Sequence, residues 1–314
     1  MIVYREFSSL SEDLGFSGKT LYGVSNSVTK HYHAASIPKR SGGARELHIP
    51  DDLLKTIQSR IAERLLPLEA ISPYATAYRP GGSTKINAAP HVGKQILLKL
   101  DIRRFFDSIT YPMVKAKAFP AARYSEANRI LLSILCVYKD ALPQGAPTSP
   151  AISNIVMKDF DDTVGRWCAA RRIAYTRYCD DMTFSGAFDP VPVTAFVKEE
   201  LRKMGFFLNR EKTAAVRQGQ RQQVTGIVVN ARPGVPSDYK RKLRQEVYYC
   251  RKYGVESHIA KIGAEGTAAA YLSGLLGRIR YVLSVEPDNK DMRAFKRLVS
   301  AWKTEYERRM GSVR

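Results

Sequence analysis

The 314-residue sequence contains few cysteines and tryptophans and has no long hydrophobic run. Its four cysteines lie far apart with no CxxC spacing, so the sequence indicates neither a disulfide framework nor a cysteine-based zinc site. No apolar stretch approaches the roughly 18–20 residues that cross a bilayer, and the N-terminus MIVYREFSSL lacks the pattern of a secretory signal. These absences predict a cytoplasmic protein that does not enter a membrane.

Acidic residues are scarce relative to basic ones: 30 Asp and Glu stand against 50 Lys and Arg, a net charge of +20. Hydrophobic residues make up 44% of the chain, which is too many for a disordered protein and typical of a globular one. A positive excess of this size indicates a polyanionic partner such as nucleic acid. The alternative from composition alone is a charge excess that only keeps the protein soluble.

The sequence contains neither internal repeats nor Gly/Ser-rich linkers. Residues 1–35 are predicted as a polar helical lead-in, and residues 37–50 as two extended runs around a Gly-Gly pair, which is a hairpin signal. Residues 142–172 are predicted as a Pro/Gly loop followed by one long helix. The last segment, 231–314, is mostly helical and carries an excess of nine positive charges. Mixed strands and helices followed by helices indicate an α+β fold.

Three Asp-Asp pairs occur in different surroundings. The first, at Asp51, precedes an amphipathic helix and is explained as helix N-terminal charge. The second, at Asp161, lies within a helical pattern with polar neighbours and predicts a solvated helix face. The third, Asp180-Asp181, lies at the tip of a predicted hairpin over residues 173–186. Two like charges held this close destabilise the chain unless a cation binds there.

Asp101 ends an apolar strand pattern over residues 95–102 and is the natural third carboxylate if that strand neighbours the hairpin. Three hard oxygen ligands converging from strand ends make a magnesium site. Two such ions about 4 Å apart would activate an attacking hydroxyl and neutralise a leaving pyrophosphate. The residues alone therefore favour phosphoryl transfer, without excluding other chemistry.

Several segments, in this order, resemble the motifs of reverse transcriptases. They are LKLDIRRFFDSI (98–109), LPQGAPTSP (142–150), YCDD (178–181), LNREKT (208–213) and VTGIVVN (224–230). YxDD alone is a weak signal, but YxDD after a xPQGxxxSP loop and an LD…F segment is specific. NAAPH (87–91) and the VTG triplet (224–226) further resemble the NAxxH and VTG patterns of bacterial retron reverse transcriptases.

The resemblance implies a right-hand polymerase fold with fingers, a palm containing an antiparallel sheet, and a helical thumb. The N-terminal region and fingers would span residues 1–98. The palm would span 99–230, with the remaining fingers segment at about 118–147, and the basic thumb and RNA-recognition region would span 231–314.

The implied function is that of an RNA-directed DNA polymerase of a retron. It would copy part of a structured noncoding RNA into DNA from an RNA 2′-OH, giving branched RNA–DNA (msDNA), within an antiphage defence system. One alternative is a non-retron bacterial reverse transcriptase of the group II-like, diversity-generating or abortive-infection type. An alternative of another class is a catalytically inactive, basic RNA-binding scaffold.

The resemblance also implies roles for site residues. Asp101, Asp180 and Asp181, with the backbone carbonyl of Ile102, would bind two Mg²⁺ ions, for which Mn²⁺ is a substitute. Lys212 would protonate the pyrophosphate leaving group. The implied reaction is attack of a primer hydroxyl on the α-phosphorus of a dNTP.

Four further residues would bind the dNTP. Lys39 and, more strongly, Arg45 lie on the predicted fingers hairpin and would bind the triphosphate, because a guanidinium offers bidentate geometry to phosphate. Ordinary surface charge is the alternative for both. Gln144 would contact the incoming nucleotide, and the ring of Phe106 would exclude a ribose 2′-OH. Core packing is the alternative for Phe106, with Phe105 the stronger candidate for the core.

The retron-type motifs are associated with recognition of the noncoding RNA, and this set comprises Asn87, His91, Val224, Thr225 and Gly226. The implied partners are a cognate noncoding RNA that serves as template and primer, the RNA–DNA product, dNTPs and a retron effector protein. No membrane partner is implied.

Overall fold

The computed structural model describes residues 3–38 and 42–311, which fall into two compact units. The first unit comprises residues 1–83 and 95–216, and the second comprises residues 84–94 and 217–314. The chain therefore leaves the first unit for a short segment and returns to it before it finally enters the second.

Helices predominate over strands in the described residues. The helices are α1 (Phe7–Leu14), α2 (Gly18–Asn26), α3 (Asp52–Arg64), α4 (Thr84–Ala88), α5 (Tyr111–Lys117), α6 (Glu126–Cys136), α7 (Ser149–Val156), α8 (Lys158–Ala169), α9 (Pro190–Lys203), α10 (Ser237–Tyr253), α11 (Val255–Ile262), α12 (Ala268–Val285) and α13 (Lys290–Gly311). The strands are β1 (Tyr32–Pro38), β2 (Ala44–Pro50), β3 (Ile96–Asp101), β4 (Ala174–Tyr178), β5 (Asp181–Gly186), β6 (Ala214–Arg217), β7 (Gln223–Val224) and β8 (Ile227–Val228). Helices packed with antiparallel strand pairs confirm the predicted α+β class.

A four-stranded sheet with the strand order β4–β5–β3–β6 lies in the first unit. Strand β5 runs antiparallel to both β3 and β4, in a register that places Asp181 opposite Asp101 on one side and opposite Tyr178 on the other. Leu98 of β3 and Phe184 of β5 are buried in the core. Strand β3 is almost continuously apolar because neighbouring residues on both of its faces are buried. The register brings the end of β3 beside the start of β5.

The N-terminal segment is more buried than predicted. Residues 1–35 read as a polar lead-in, yet α1 and α2 place Leu10, Leu14 and Leu21 in the hydrophobic core. Strand β1 already begins at Tyr32 and pairs with β2. The helices are as predicted, but the polar description is wrong, because the leucines of α1 and α2 pack against the rest of the unit. The hairpin predicted around the Gly-Gly pair is confirmed.

The single long helix predicted within residues 142–172 is wrong. The segment forms α7 and α8, which are separated at Met157. Met157 has ψ −2°, far from the roughly −42° of an α-helix, and its side chain is fully buried. Met157 therefore separates the two helices, and its side chain packs in the hydrophobic core.

The second unit contains α4, the β7–β8 hairpin and the helices α10 to α13. The mostly helical character predicted for residues 231–314 is confirmed. Among the residues that the structure describes, no helix combines the length and the apolar character needed to cross a membrane. The division into fingers, palm and thumb stays a prediction.

Candidate active site

The hairpin formed by β4 and β5 turns at Cys179 and Asp180, between the paired residues Tyr178 and Asp181. Cys179 has φ 62°, in the left-handed region that residues other than glycine adopt at a cost. Such backbone strain persists where the surrounding structure fixes it, and it is concentrated at functional sites. The turn therefore presents two adjacent carboxylates on a fixed backbone.

Strand β3 brings a third carboxylate to this turn. Asp101 pairs with Asp181, and the next amide, that of Ile102, donates a hydrogen bond to the carbonyl of Asp180 at 3.0 Å. One carboxylate oxygen from each of Asp101, Asp180 and Asp181 lies within 4.8 Å of the others. The structure thus brings together the three carboxylates predicted as metal ligands, with Ile102 directly beside them.

Burial and neighbouring carboxylates disfavour the charged forms of Asp101 and Asp181. Asp101 is only 4% exposed. Burial and the charge of Asp180 raise the pKa of Asp101, although a hydrogen bond from Lys212 opposes the shift. Loss of hydration around its carboxylate, then the charges of Asp180 and Asp101, raise the pKa of Asp181 to about 6, even though this residue lies at the surface. The ammonium groups of Lys212 and Lys99 lower the pKa of Asp181, but they do not offset burial and the neighbouring carboxylates.

Lys212 places an ammonium group beside the carboxylate cluster. Its Nζ lies 2.7 Å from Oδ2 of Asp101, and this hydrogen bond raises the pKa of the ammonium group. The side chain remains 59% exposed. Lys212 is thus held in its charged form beside the carboxylates, at a position that solvent and a substrate can reach.

The ligand set fits a hard divalent cation. Mg²⁺ prefers oxygen ligands and is often bound by one or two carboxylates together with substrate phosphates. Three converging carboxylates, from Asp101, Asp180 and Asp181, match that preference. A divalent cation such as Mg²⁺ or Mn²⁺ therefore fits this ligand set.

The sequence pattern missed a buried ion pair beneath this turn. Asp161 is fully buried against Arg177, so the predicted solvated helix face is wrong at this position. The reason is that α8 packs against β4 and turns Asp161 inward, whereas Asp162 remains partly exposed and bonds Lys158. An arginine within the buried strand pattern IAYTRYC is the sequence signal that a buried carboxylate partner is required.

A second residue missed by the sequence analysis lies beside the turn. The hydroxyl of Tyr78 donates to Sγ of Cys179 at 3.4 Å, and Tyr78 itself has φ 54°. Its side chain is exposed. Nothing in the AYRPGGS segment predicts this position, because the contact joins residues 101 positions apart.

The loop that contains Gln144 lies beside the predicted triphosphate-binding hairpin. The amide of His48 in β2 donates to the carbonyl of Gln144 at 2.9 Å. Gly145 has φ 120°, and a Cβ there would lie 3.1 Å from the carbonyl oxygen of His48, so only glycine fits without strain. The backbone of Arg45 pairs with Ile37 in the same hairpin, while the side chain of Arg45 and all of Lys39 lie outside the described residues.

Phe106 begins a 3₁₀ turn that ends at Ser108 and is half-buried. Its ring centroid lies 5.5 Å from that of Phe105, which is buried and contacts Phe206 at 6.2 Å. Phe105 is thus the core member, as the sequence indicates, and part of the Phe106 ring remains available at the surface.

The two retron-type motifs meet in the second unit. Nδ2 of Asn87 donates to Oγ1 of Thr225 at 3.3 Å, across 138 positions of sequence. Thr225 and Gly226 have φ 43° and 86° and form the turn of the β7–β8 hairpin. His91 is fully buried, and burial, followed by the charge of Lys94, lowers its pKa to about 3. The imidazole is therefore neutral and lies within the fold.

Comparison with known proteins places these observations in context. Residues 37–230 match the family described as "Reverse transcriptase (RNA-dependent DNA polymerase)". Retron Mx65 reverse transcriptase of Myxococcus xanthus is 35% identical over 291 residues, covering 85% of this chain and 64% of that relative. Retron Mx162 reverse transcriptase of the same species is 31% identical, covering 78% and 56%. Retron Ec83 reverse transcriptase of Escherichia coli is 32% identical, covering 82% and 84%.

This chain spans less than two thirds of the length of the two Myxococcus relatives. Among solved structures, telomerase from Candida albicans in complex with a fragment of telomeric RNA aligns with a TM-score of 0.49 and 12% identity, covering 87% of this chain and 61% of that chain.

Proposed function

Because this chain belongs to the reverse transcriptase family, we propose that it is an RNA-directed DNA polymerase of the retron type. The fold is the α+β right-hand polymerase fold of that family. The convergence of Asp101, Asp180 and Asp181 at one end of the sheet carries the proposal, since a nucleotidyl transfer site requires such a carboxylate cluster.

We assign the three carboxylates, together with the carbonyl of Ile102, to two Mg²⁺ ions. When bound, such ions activate the attacking hydroxyl and neutralise charge on the transferred phosphate. The chain itself supplies Lys212, whose ammonium group is held beside Asp101 in the charged form. Lys212 is therefore proposed to donate its proton to the departing pyrophosphate.

The incoming dNTP is proposed to lie between the β1–β2 hairpin and the Gln144 loop. Arg45 and Lys39 would bind its triphosphate from the hairpin, and Gln144 would contact the nucleotide. The bond from His48 to Gln144 supports this arrangement, because it joins the two elements. Phe106 would exclude ribonucleotides with the exposed part of its ring.

The RNA substrate is proposed to be one structured noncoding RNA, copied from an RNA 2′-OH into msDNA within an antiphage system that includes an effector protein. Support comes from the retron relatives and from the contact between the NAAPH and VTG motifs. Asn87, His91, Val224, Thr225 and Gly226 would shape the RNA-recognition surface. The positive excess of residues 231–314 would bind the RNA backbone, as expected of the thumb.

Primer extension tests the catalytic proposal. Wild-type protein with Mg²⁺, poly(rA)·oligo(dT) and dTTP should incorporate dTMP, and Asp181→Asn should abolish incorporation while RNA binding survives. Asp159→Asn, an exposed acidic position on α8 paired with Lys117, is the matched control and should retain activity. Full activity of Asp181→Asn would refute the metal assignment.

The retron assignment has a separate test. Nucleic acid that co-purifies with the protein from its native host should contain DNA joined to RNA by a 2′–5′ branch, detectable by sensitivity to a debranching enzyme. Active polymerase with only linear products would favour another bacterial reverse transcriptase lineage.

A further inference from the structure

The guanidinium group of Arg177 lies directly beneath the turn that carries Asp180 and Asp181. Arg177 and Asp161 have no exposed side-chain surface, and Nη2 of the arginine lies 2.6 Å from Oδ2 of the aspartate. A second bond joins Nε to Oδ1 at 2.9 Å. A buried ion pair of this kind is a poor source of stability compared with apolar residues of similar size. Its presence beneath the turn therefore calls for another explanation.

The explanation lies in Nη1, on the side of the guanidinium group that faces the turn. Nη1 of Arg177 donates to the backbone carbonyl of Cys179 at 2.9 Å. On the other side of Asp180, the amide of Ile102 donates to the carbonyl of Asp180 itself at 3.0 Å. The two peptide groups that flank Asp180 are thus each fixed by a hydrogen bond from outside the turn. Arg177 binds the Cys179–Asp180 peptide group, and Cys179 is the residue in the strained conformation.

The orientation of Arg177 is itself fixed by its neighbours. Its amide donates to the carbonyl of Tyr74 at 2.8 Å, and its carbonyl accepts from the amide of Thr76 at 2.8 Å. Asp161 also accepts from the hydroxyl of Tyr175 at 2.7 Å, which fixes the carboxylate that the guanidinium group binds. Both partners of the ion pair are therefore held rigidly behind the turn.

We propose that Asp161 and Arg177 are positioning residues that hold the Cys179–Asp180 peptide so that the carboxylates of Asp180 and Asp181 converge with Asp101 on the site for divalent cations. This inference rests on the proposed function only for the identity of the bound ion. Lysine cannot replace Arg177 in this role, because an ammonium group lacks the planar fork that binds Asp161 and the Cys179 carbonyl at once.

Arg177→Lys tests the positioning directly, since it keeps a positive charge beside Asp161. Mn²⁺ binding to the full chain, measured by electron paramagnetic resonance without nucleotides, should weaken by about 10–100-fold, the range seen when groups that orient metal ligands are removed. The Mg²⁺ concentration for half-maximal dTMP incorporation should rise in parallel, with the KM for poly(rA)·oligo(dT) changed less than about twofold. Unchanged Mn²⁺ binding in folded Arg177→Lys would overturn the proposal.

A double variant separates positioning from folding. Asp161→Asn with Arg177→Met removes both buried charges, keeps an acceptor for Tyr175 and leaves the Cys179 carbonyl without its donor. This protein should fold, and its Mn²⁺ binding should be as weak as that of Arg177→Lys. Wild-type Mn²⁺ affinity in the folded double variant would show that the pair is only structural and would overturn the proposal.

Asp162→Asn is the matched control, because it removes the adjacent carboxylate of the same helix without touching Arg177. Its Mn²⁺ affinity should equal that of the wild type. Mn²⁺ binding is measured without template or dNTP, so it tests the positioning role separately from polymerase activity. Unchanged Mn²⁺ binding in the variants would contradict the positioning role even if primer extension succeeds. Failure of primer extension in the wild type would contradict the proposed function even if the variants bind Mn²⁺ weakly.

Discussion

The acidic pairs Asp161-Asp162 on α8 and Asp180-Asp181 at the hairpin turn have the same composition but different partners. Asp161 is neutralised inside the protein by Arg177, and Asp162 bonds Lys158. Asp180 and Asp181 instead face Asp101 and keep a raised pKa at Asp181. The difference shows that the residues a carboxylate contacts in the fold, and not its neighbours in sequence, distinguish a structural aspartate from one in a candidate metal site.

Removing one carboxylate of the Asp101, Asp180 and Asp181 cluster should have the largest effect. Asp101→Asn removes a proposed metal ligand and the carboxylate that pairs with Lys212, and metal ions stabilise phosphoryl-transfer transition states by several kcal/mol. Incorporation of dTMP should fall by about a thousandfold or more, measured by primer extension at saturating Mg²⁺. A circular dichroism spectrum like that of the wild type would show that the fold is intact. Activity within tenfold of the wild type would contradict the assignment of Asp101.

Neutralising the partnered pair should act on stability. Asp161→Asn leaves the buried Arg177 without its counter-charge, which costs about 3–5 kcal/mol for buried pairs. Asp162→Asn, whose carboxylate is partly solvated, should cost much less. Urea denaturation of both variants measures the difference in the free energy of unfolding. Equal free energies of unfolding for the two variants would contradict the claim that Asp161 is a buried structural partner and Asp162 a solvated one.

The raised pKa of Asp181 predicts a pH effect in protein free of divalent cations. Its folded value of about 6 lies above the ordinary 3.8, so the folded state binds this proton more tightly than the unfolded state does. This contribution favours folding below about pH 4 and is lost as the pH rises through 6.

Thermal denaturation in EDTA measures the effect. On lowering the pH from about 7 to 5, the wild-type unfolding temperature should rise relative to that of Asp181→Asn, by less than the pKa shift alone implies because water screens this exposed carboxylate. Mg²⁺ should stabilise the wild type more at pH 7 than at pH 5, because the carboxylates bind it deprotonated. Parallel profiles for wild type and variant would contradict the shift.

The smallest effect is expected at the turn side chain itself. Cys179→Ala removes the thiol contacts with the Tyr78 hydroxyl and with Asp180 and leaves the carbonyl that Arg177 binds. Mg²⁺ dependence and incorporation rate should stay within about twofold of the wild type, a change of about 0.4 kcal/mol. A large loss would mean that the thiol, and not the peptide group, matters at this turn.

The sequence predicted those parts of the site that lie within local motifs. The order of the LD, PQG and YCDD segments located the three carboxylates, and the Gly-Gly pair located the first hairpin. Asp161 was misread, because helical periodicity with polar neighbours cannot show which face packs against a strand. Met157 was missed as a break, since a buried methionine carries no turn signal. The sequence motifs identify Asn87 and Thr225 separately, but they do not show that these residues, 138 positions apart, are in contact.

The path of the chain between the units has a practical consequence. Thr84 accepts a bond from Thr225 through its carbonyl, and the amide of Gly93 donates to the carbonyl of Val229. A fragment beginning at residue 217 would therefore lack residues 84–94, which bond to the β7–β8 hairpin and the residue that follows it. Recombination that exchanges the C-terminal portion between relatives would have to carry residues 84–94 along with it. The second unit is thus encoded by two separated stretches of the gene, for residues 84–94 and 217–314.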